Sequence, residues 1–147
     1  MEAGRGDEVD IAGLAYDAPL GTECHHWRWH SFFRLAELHG RDPLAADKEI
    51  WAATFIPYAR APIATAFGAN LYGDIGIGVS GLSRTQINME RKFSTGFQFS
   101  EILGFTLELG GASPSSLSLR LQHISNGGIK HPNDGVTFAS LVYSVPF

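Results

Sequence analysis

Apolar and polar residues alternate with a period of two along most of this chain. From Leu71 to Ser80, Leu71, Gly73, Ile75, Ile77 and Val79 fall on one face, and Tyr72, Asp74, Gly76, Gly78 and Ser80 fall on the other. Successive side chains of a strand point to opposite faces, so the pattern predicts a β-strand with one greasy side. The other side is small and polar, with glycines spaced as if side chains across a narrow lumen need room. The same phase recurs in Trp27, Trp29, Phe33 and Leu35 against His26, Arg28, His30 and Arg34, and in Phe93, Phe97 and Phe99 against Ser94, Gly96 and Gln98. It continues in Leu103, Phe105, Leu107 and Leu109, then in Leu117, Leu119 and Leu121, and finally in Leu141, Tyr143, Val145 and Phe147. Segments 9–17 and 49–59 are less regular, because both of their faces are largely apolar.

These segments predict eight strands, near 8–17, 25–37, 48–59, 66–80, 85–98, 101–110, 115–125 and 135–147. Turn signals separate them: Ala18-Pro19-Leu20-Gly21, His39 to Pro43, Arg60-Ala61-Pro62, Gly110 to Pro114, and Asn126 to Gly135. An even number of short antiparallel strands with an apolar outside and a polar inside predicts a single all-β domain over 1–147, an eight-stranded antiparallel transmembrane β-barrel. Trp27, Trp29, Phe32, Phe33, Trp51, Tyr143 and Phe147 lie near strand ends, where an interfacial aromatic girdle belongs. A soluble barrel with its apolar faces turned inward produces the same alternation, and periodicity alone does not separate in from out.

Composition bears on that choice. Charged residues make up 18% of the 147, below the roughly 25% of soluble proteins. The small, uncharged character of the polar faces also favours the membrane form. Eleven Lys and Arg against 15 Asp and Glu leave a net charge of -4, which is not the footprint of a nucleic-acid binder. The single cysteine, Cys24, excludes an intramolecular disulfide framework and any cysteine-based zinc site. Cys24, His25, His26 and His30 suggest metal ligands in composition, but His26 and His30 fall on the strand face opposite His25, and with Trp27 and Trp29 they fit an interfacial girdle better. The first residues lack the basic and apolar regions of a signal peptide, so an exported chain is expected here in processed form.

The chemistry concentrates near the end of the seventh predicted strand. His123 and Ser125 are two apart, so their side chains share a face, and a serine hydroxyl becomes a useful nucleophile when an imidazole takes its proton. Both are in phase with Leu117, Leu119 and Leu121 and therefore face lipid in a membrane barrel. Polar groups there are costly, which points to a lipid substrate. The duller alternative is that His123 and Ser125 simply occupy the interfacial end of the strand.

The run His-Ile-Ser-Asn-Gly-Gly-Ile-Lys-His-Pro-Asn-Asp-Gly-Val-Thr, from His123 to Thr137, with the closing Leu-Val-Tyr-Ser-Val-Pro-Phe, closely resembles the PagL family of outer-membrane lipid A 3-O-deacylases. The terminal Phe147 behind an alternating strand likewise resembles the end of bacterial outer-membrane barrels. The resemblance implies an eight-stranded barrel in the bacterial outer membrane that hydrolyses the ester-linked 3-position acyl chain of lipid A with a Ser-His-Glu triad on its exterior. It implies no metal or other cofactor. The implied partners are lipid A or lipopolysaccharide as substrate, the surrounding outer-membrane lipids and a second copy of the chain in a homodimer, with no nucleic acid. Position by position, His123 matches the family's general base and Ser125 its nucleophile. Asn126 and Gly128 match motif positions that shape the site, and Asn133 matches the asparagine of the oxyanion hole. Where the family has its glutamate, this chain has Thr137.

In a triad the acid orients the imidazole and stabilises its charged form, and its loss costs up to about four orders of magnitude in turnover. Three outcomes are therefore open: Thr137 orients His123 weakly, another carboxylate substitutes, or activity is low. Glu101 is the leading substitute, since an outward-facing residue near the start of the sixth predicted strand lies at the height of Ser125 when the termini are periplasmic. Asp134 is the lesser one. Lys130 and His131, and less strongly Arg84, Arg91 and Lys92, are candidates to contact lipid A phosphates. The functions in contention are thus a serine lipid A deacylase of reduced activity, a non-catalytic outer-membrane barrel that binds lipid A or serves adhesion, and a soluble ligand-binding barrel.

Overall fold

A computed structural model of the chain describes residues 1–6, 9–24, 26–41, 49–86, 92–110 and 115–145, with the side chains of 22–24 excepted. Eight strands form one closed antiparallel barrel in chain order: β1 (Glu2–Gly6), β2 (Val9–Cys24), β3 (Trp27–Gly40), β4 (Glu49–Ala66), β5 (Ala69–Leu82), β6 (Phe97–Leu109), β7 (Ser115–Ser125) and β8 (Val136–Ser144). Closure comes from β1 pairing with both β2 and β8, and the Met1 ammonium donates to the Tyr143 carbonyl at 2.9 Å. Full closure leaves no sheet edge, the condition for a β-structure to cross a bilayer. The β2–β3 and β4–β5 turns on the side of the termini are tight, whereas the connection 126–135 at the far end is long. That asymmetry is typical of outer-membrane-type barrels.

In and out are settled by the side chains. Leu14, Leu35, Ile77, Leu103, Leu119 and Leu141 lie exposed on the exterior, and Arg34, Thr54, Arg60, Asp74, Arg120 and Gln122 are buried in the lumen. The soluble reading, with apolar faces inward, is overturned. Buried charges must be paired. Arg60 holds Asp74 through two hydrogen bonds, Nε to Oδ1 at 2.8 Å and Nη2 to Oδ2 at 3.0 Å, and reaches Glu108 at 3.1 Å. Arg120 donates to Asp17 at 2.8 Å, and Arg34 to Glu2 at 3.1 Å and to Gln122 at 2.8 Å. Gly76 faces inward where a Cβ would run into Tyr58, so the expected need for room in the lumen is met by a glycine opposite a tyrosine.

Eight strands are present, but they are not the eight that periodicity predicts. Of expected strand 85–98, the described residues before Phe97 lie in the β5–β6 connection, where Gln86 and Lys92 form one isolated bridge and Ser94 turns the chain at φ 60°, and only Phe97 and Gln98 are strand, as the start of β6. Phe93, expected to share a lipid-facing side with Phe97 and Phe99, is wholly buried among Ile124, Val136 and Phe138, which cap the far end of the lumen. The missing strand is β1. Its sequence, Glu-Ala-Gly-Arg-Gly, has no apolar alternation, and its place is set by closure of the ring. The apolar cap also contains Val9, Ile11, Ile50 and Ala52, which is why 9–17 and 49–59 are apolar on both faces.

Two expected turns are irregularities inside longer strands. The Ala18-Pro19-Leu20-Gly21 signal marks a register shift between Pro19 and Glu23 in β2, and Arg60-Ala61-Pro62 precedes a shift between Pro62 and Ala64 in β4. Proline cannot donate to the ladder and is tolerated where pairing is already broken. His39 and Gly40 of the expected 39–43 turn close β3, while residues 42–43 and 111–114 of the expected turns, together with His25, Arg91 and Phe147, lie outside the described residues.

Candidate active site

Strand register assembles the site. Ile77, Glu101, His123 and Thr137 are successive partners across β5, β6, β7 and β8, so one row of outward side chains crosses four strands. Directly opposed residues in antiparallel strands hold their Cβ atoms roughly 4.5–5.5 Å apart. His123 Nδ1 and Thr137 Oγ1 are hydrogen-bonded at 2.8 Å. A threonine oxygen can accept from Nδ1–H, which leaves the Nε2 lone pair to take a proton. Ser125 lies two residues on along β7, on the same face and half-buried, opposite Phe99 of β6. Among the described residues no hydrogen bond joins Ser125 to His123.

The imidazole is confined on a second side. Gly135, at φ 57°, brings the backbone before β8 so close that a Cβ there would stand 3.0 Å from His123 Cε1 and 3.2 Å from Nε2. A residue with a side chain meets both a strained φ and the ring.

The loop after Ser125 is built around Asn126, which is fully buried. Its Nδ2 donates to the carbonyls of Phe93 at 2.9 Å and Lys130 at 2.7 Å, and its Oδ1 accepts from the Gly128 amide at 2.9 Å. Its own amide donates to Asn133 Oδ1 at 2.9 Å, which engages the oxygen of that side chain and leaves its Nδ2 as a donor. Gly127 and Gly128 occupy left-handed φ of 64° and 80° to make this turn. The loop is also fastened to the β5–β6 loop: the Lys92 amide donates to Asp134 Oδ2 at 2.8 Å, and the Asp134 amide returns a bond to the Lys92 carbonyl. The Asp134 carboxylate is therefore engaged in loop tethering, whereas Glu101 is exposed beside His123.

An apolar groove of about 760 Å³ runs over the outer wall from Glu101, His123 and Thr137 across Ile77 to Pro57 of β4 and Trp29 of β3. Lys92, Lys130 and His131 are exposed on the loops at the far end, with Arg84 at the same rim. The histidines of the expected girdle separate: His26 is in the β2–β3 turn, and His30 is in the lumen, 3.1 Å from Asp17. Sequence reasoning misses Phe93 and Gly135 as supports of the site, since neither contact has a periodic signal. It also misses a rim cluster of Glu37, His39 and Glu49, joined only by the β3–β4 pairing.

The molecule is thus a transmembrane β-barrel whose candidate chemistry lies on its lipid-facing wall, not in its lumen. The family model for lipid A 3-O-deacylase (PagL) matches residues 10–146, and the chain belongs to that family. It is 29% identical over 153 residues to the lipid A deacylase PagL of Bordetella bronchiseptica, covering all of this chain and 82% of that protein. The lipid A deacylase PagL of Pseudomonas aeruginosa is 34% identical over 73 residues, half of this chain and 40% of that protein. The crystal structure of the outer membrane enzyme PagL has the same fold, with a TM-score of 0.79 over 99% of this chain and 97% of that one at 21% identity.

Proposed function

We propose that this chain is a lipid A 3-O-deacylase of the bacterial outer membrane. Ser125 Oγ attacks the ester carbonyl of the 3-position acyl chain while His123 Nε2 takes its proton. Asn133 Nδ2 stabilises the oxyanion, a contribution of about 3 kcal/mol for one such donor. His123 returns the proton to the departing sugar hydroxyl, and water, activated by the same imidazole, then releases the 3-hydroxy fatty acid from Ser125. The observation that carries this reading is the row of Glu101, His123 and Thr137 beside Ser125 at the end of an apolar groove on the lipid-facing wall. A Ser-His contact that is open without substrate commonly tightens in the bound complex.

Thr137 takes the orienting part of the acid through Nδ1 but supplies no negative charge. Glu101, opposite His123, supplies that charge from the other side, at the lipid boundary where a Coulomb interaction is stronger than in water. Asn126 and Gly128 shape the loop and leave the chemistry to Asn133.

The substitution of threonine for a triad carboxylate favours one competing reading, a barrel that binds lipid A without cleaving it. Mass spectrometry of lipid A from an expressing strain separates the two. The deacylase reading expects loss of one 3-position acyl chain, abolished in Ser125→Ala and in His123→Ala. Unaltered lipid A with a folded wild-type barrel in the outer membrane supports the binder.

A further inference from the structure

The β4–β5 hairpin carries an unusual tip. β3 leaves β4 at the Arg28–Arg60 pair, whereas β4 runs on to Ala66 and turns through Phe67 and Gly68. No residue from 61 to 73 is charged. Phe67 is completely exposed, at 108%, and its φ is 53°, with Gly68 following at 78°. Two-residue hairpin turns with both central residues left-handed strongly prefer Asn, Asp or Gly, and a bulky side chain at positive φ is an outlier. In water, Phe67 would combine backbone strain with full exposure of an aromatic ring and gain nothing from either.

The surface around it indicates another solvent. The lipid-facing exterior reaches the tip without a break: Ile75 and Leu71 continue down β5, Leu107 and Leu109 run beside them on β6, and Ile63 is exposed on β4. The opposite rim of the barrel differs sharply, with Glu37, His39 and Glu49 on its outer face. Aromatic rings are favoured at the boundary between headgroups and acyl chains, where a left-handed turn can keep its polar backbone wet and its ring in the apolar zone.

We propose that the β4–β5 hairpin is a membrane anchor, with Phe67 seated in the headgroup boundary of the leaflet nearest the termini. The ligand is the phospholipid surface itself. Pro57, Ile75 and Ile77, which line the groove, belong to the same two strands, so the anchor holds the groove at a set depth in the bilayer. This inference rests on the barrel spanning a bilayer and is independent of the hydrolase chemistry.

The test uses the full chain in phosphatidylethanolamine and phosphatidylglycerol vesicles, in a Cys24→Ala background, with a nitroxide placed through Phe67→Cys. Labels at Leu119→Cys and Lys130→Cys provide the lipid and water references, and heat-modifiable migration verifies folding of each variant. By power-saturation EPR, the label at 67 is expected to favour oxygen over a nickel chelate, with nickel accessibility about threefold or more below that at 130. A label at Thr65→Cys, with Phe67 intact, should give the same ordering. Nickel accessibility equal to that at 130 for both labels would place the hairpin in water and overturn the anchor. Protection of both labels from oxygen and nickel alike would indicate a protein contact and overturn it too.

Discussion

Thr137 Oγ1 lies 2.8 Å from His123 Nδ1 across the β7–β8 register. The contact has the geometry of an acid–histidine pair without its charge. Thr137→Val, which keeps the shape and removes the acceptor, is expected to lower deacylation by about tenfold, the value of one hydrogen bond of roughly 1.4 kcal/mol. Because Glu101 supplies the charge, Thr137→Glu alone is expected to change the rate by less than about tenfold, a small part of the roughly 10⁴-fold that a triad acid contributes. Release of 3-hydroxy fatty acid from purified lipid A in detergent measures both, and a gain of about a hundredfold or more in Thr137→Glu would mean that Glu101 does not supply the charge.

Glu101 is the residue positioned to supply it. Two unit charges about 5 Å apart in an effective dielectric near 20 interact by about 3 kcal/mol. Glu101→Gln is therefore expected to cut kcat by ten- to a hundredfold while leaving KM nearly unchanged, because the effect is on charge developing at His123. A silent Glu101→Gln would leave Thr137 as the sole partner of the imidazole. Combining Glu101→Gln with Thr137→Glu should restore most of the lost rate.

Gly135 gives a different kind of prediction. In Gly135→Ala the new methyl group meets the His123 ring, and displacement of a catalytic group by about 1 Å costs on the order of a hundredfold. Gly21 has a similar φ of 68° with nothing within 4 Å of a built Cβ, so Gly21→Ala isolates the strain of about 1 kcal/mol. Activity should fall at 135 and persist at 21, with both barrels retaining heat-modifiable migration. Equal activities would show that the ring tolerates the methyl group.

The lumen sets stability. Asp74 is buried and receives both arms of Arg60 as well as the Thr106 hydroxyl at 2.7 Å. Removing one member of a buried pair leaves an uncompensated charge, and Asp74→Ala is expected to cost about 3–5 kcal/mol. Urea unfolding in detergent or vesicles, followed by gel migration, should show a lowered midpoint. An unchanged midpoint would mean that Glu108 or water takes over the guanidinium.

Period-two alternation, a low charge content and the run from His123 to Thr137 were enough to identify an all-β barrel, the shared face of His123 and Ser125, and the absence of a glutamate at 137. These are local properties: a strand's side-chain parity is determined by counting, and a motif by adjacency. Contacts between distant segments were not legible. Phe93 has the phase of Phe97 and Phe99 yet plugs the lumen, since a loop obeys no period. β1 has no apolar alternation and is a strand because the ring must close, and Pro62 looked like a turn until β3 ended beside it. Which face is wet was ambiguous along the chain, because alternation is symmetric under exchange of inside and outside. Only the closed barrel, with Arg60 on Asp74 inside and Leu119 outside, decided it, and only strand register placed Glu101 opposite His123.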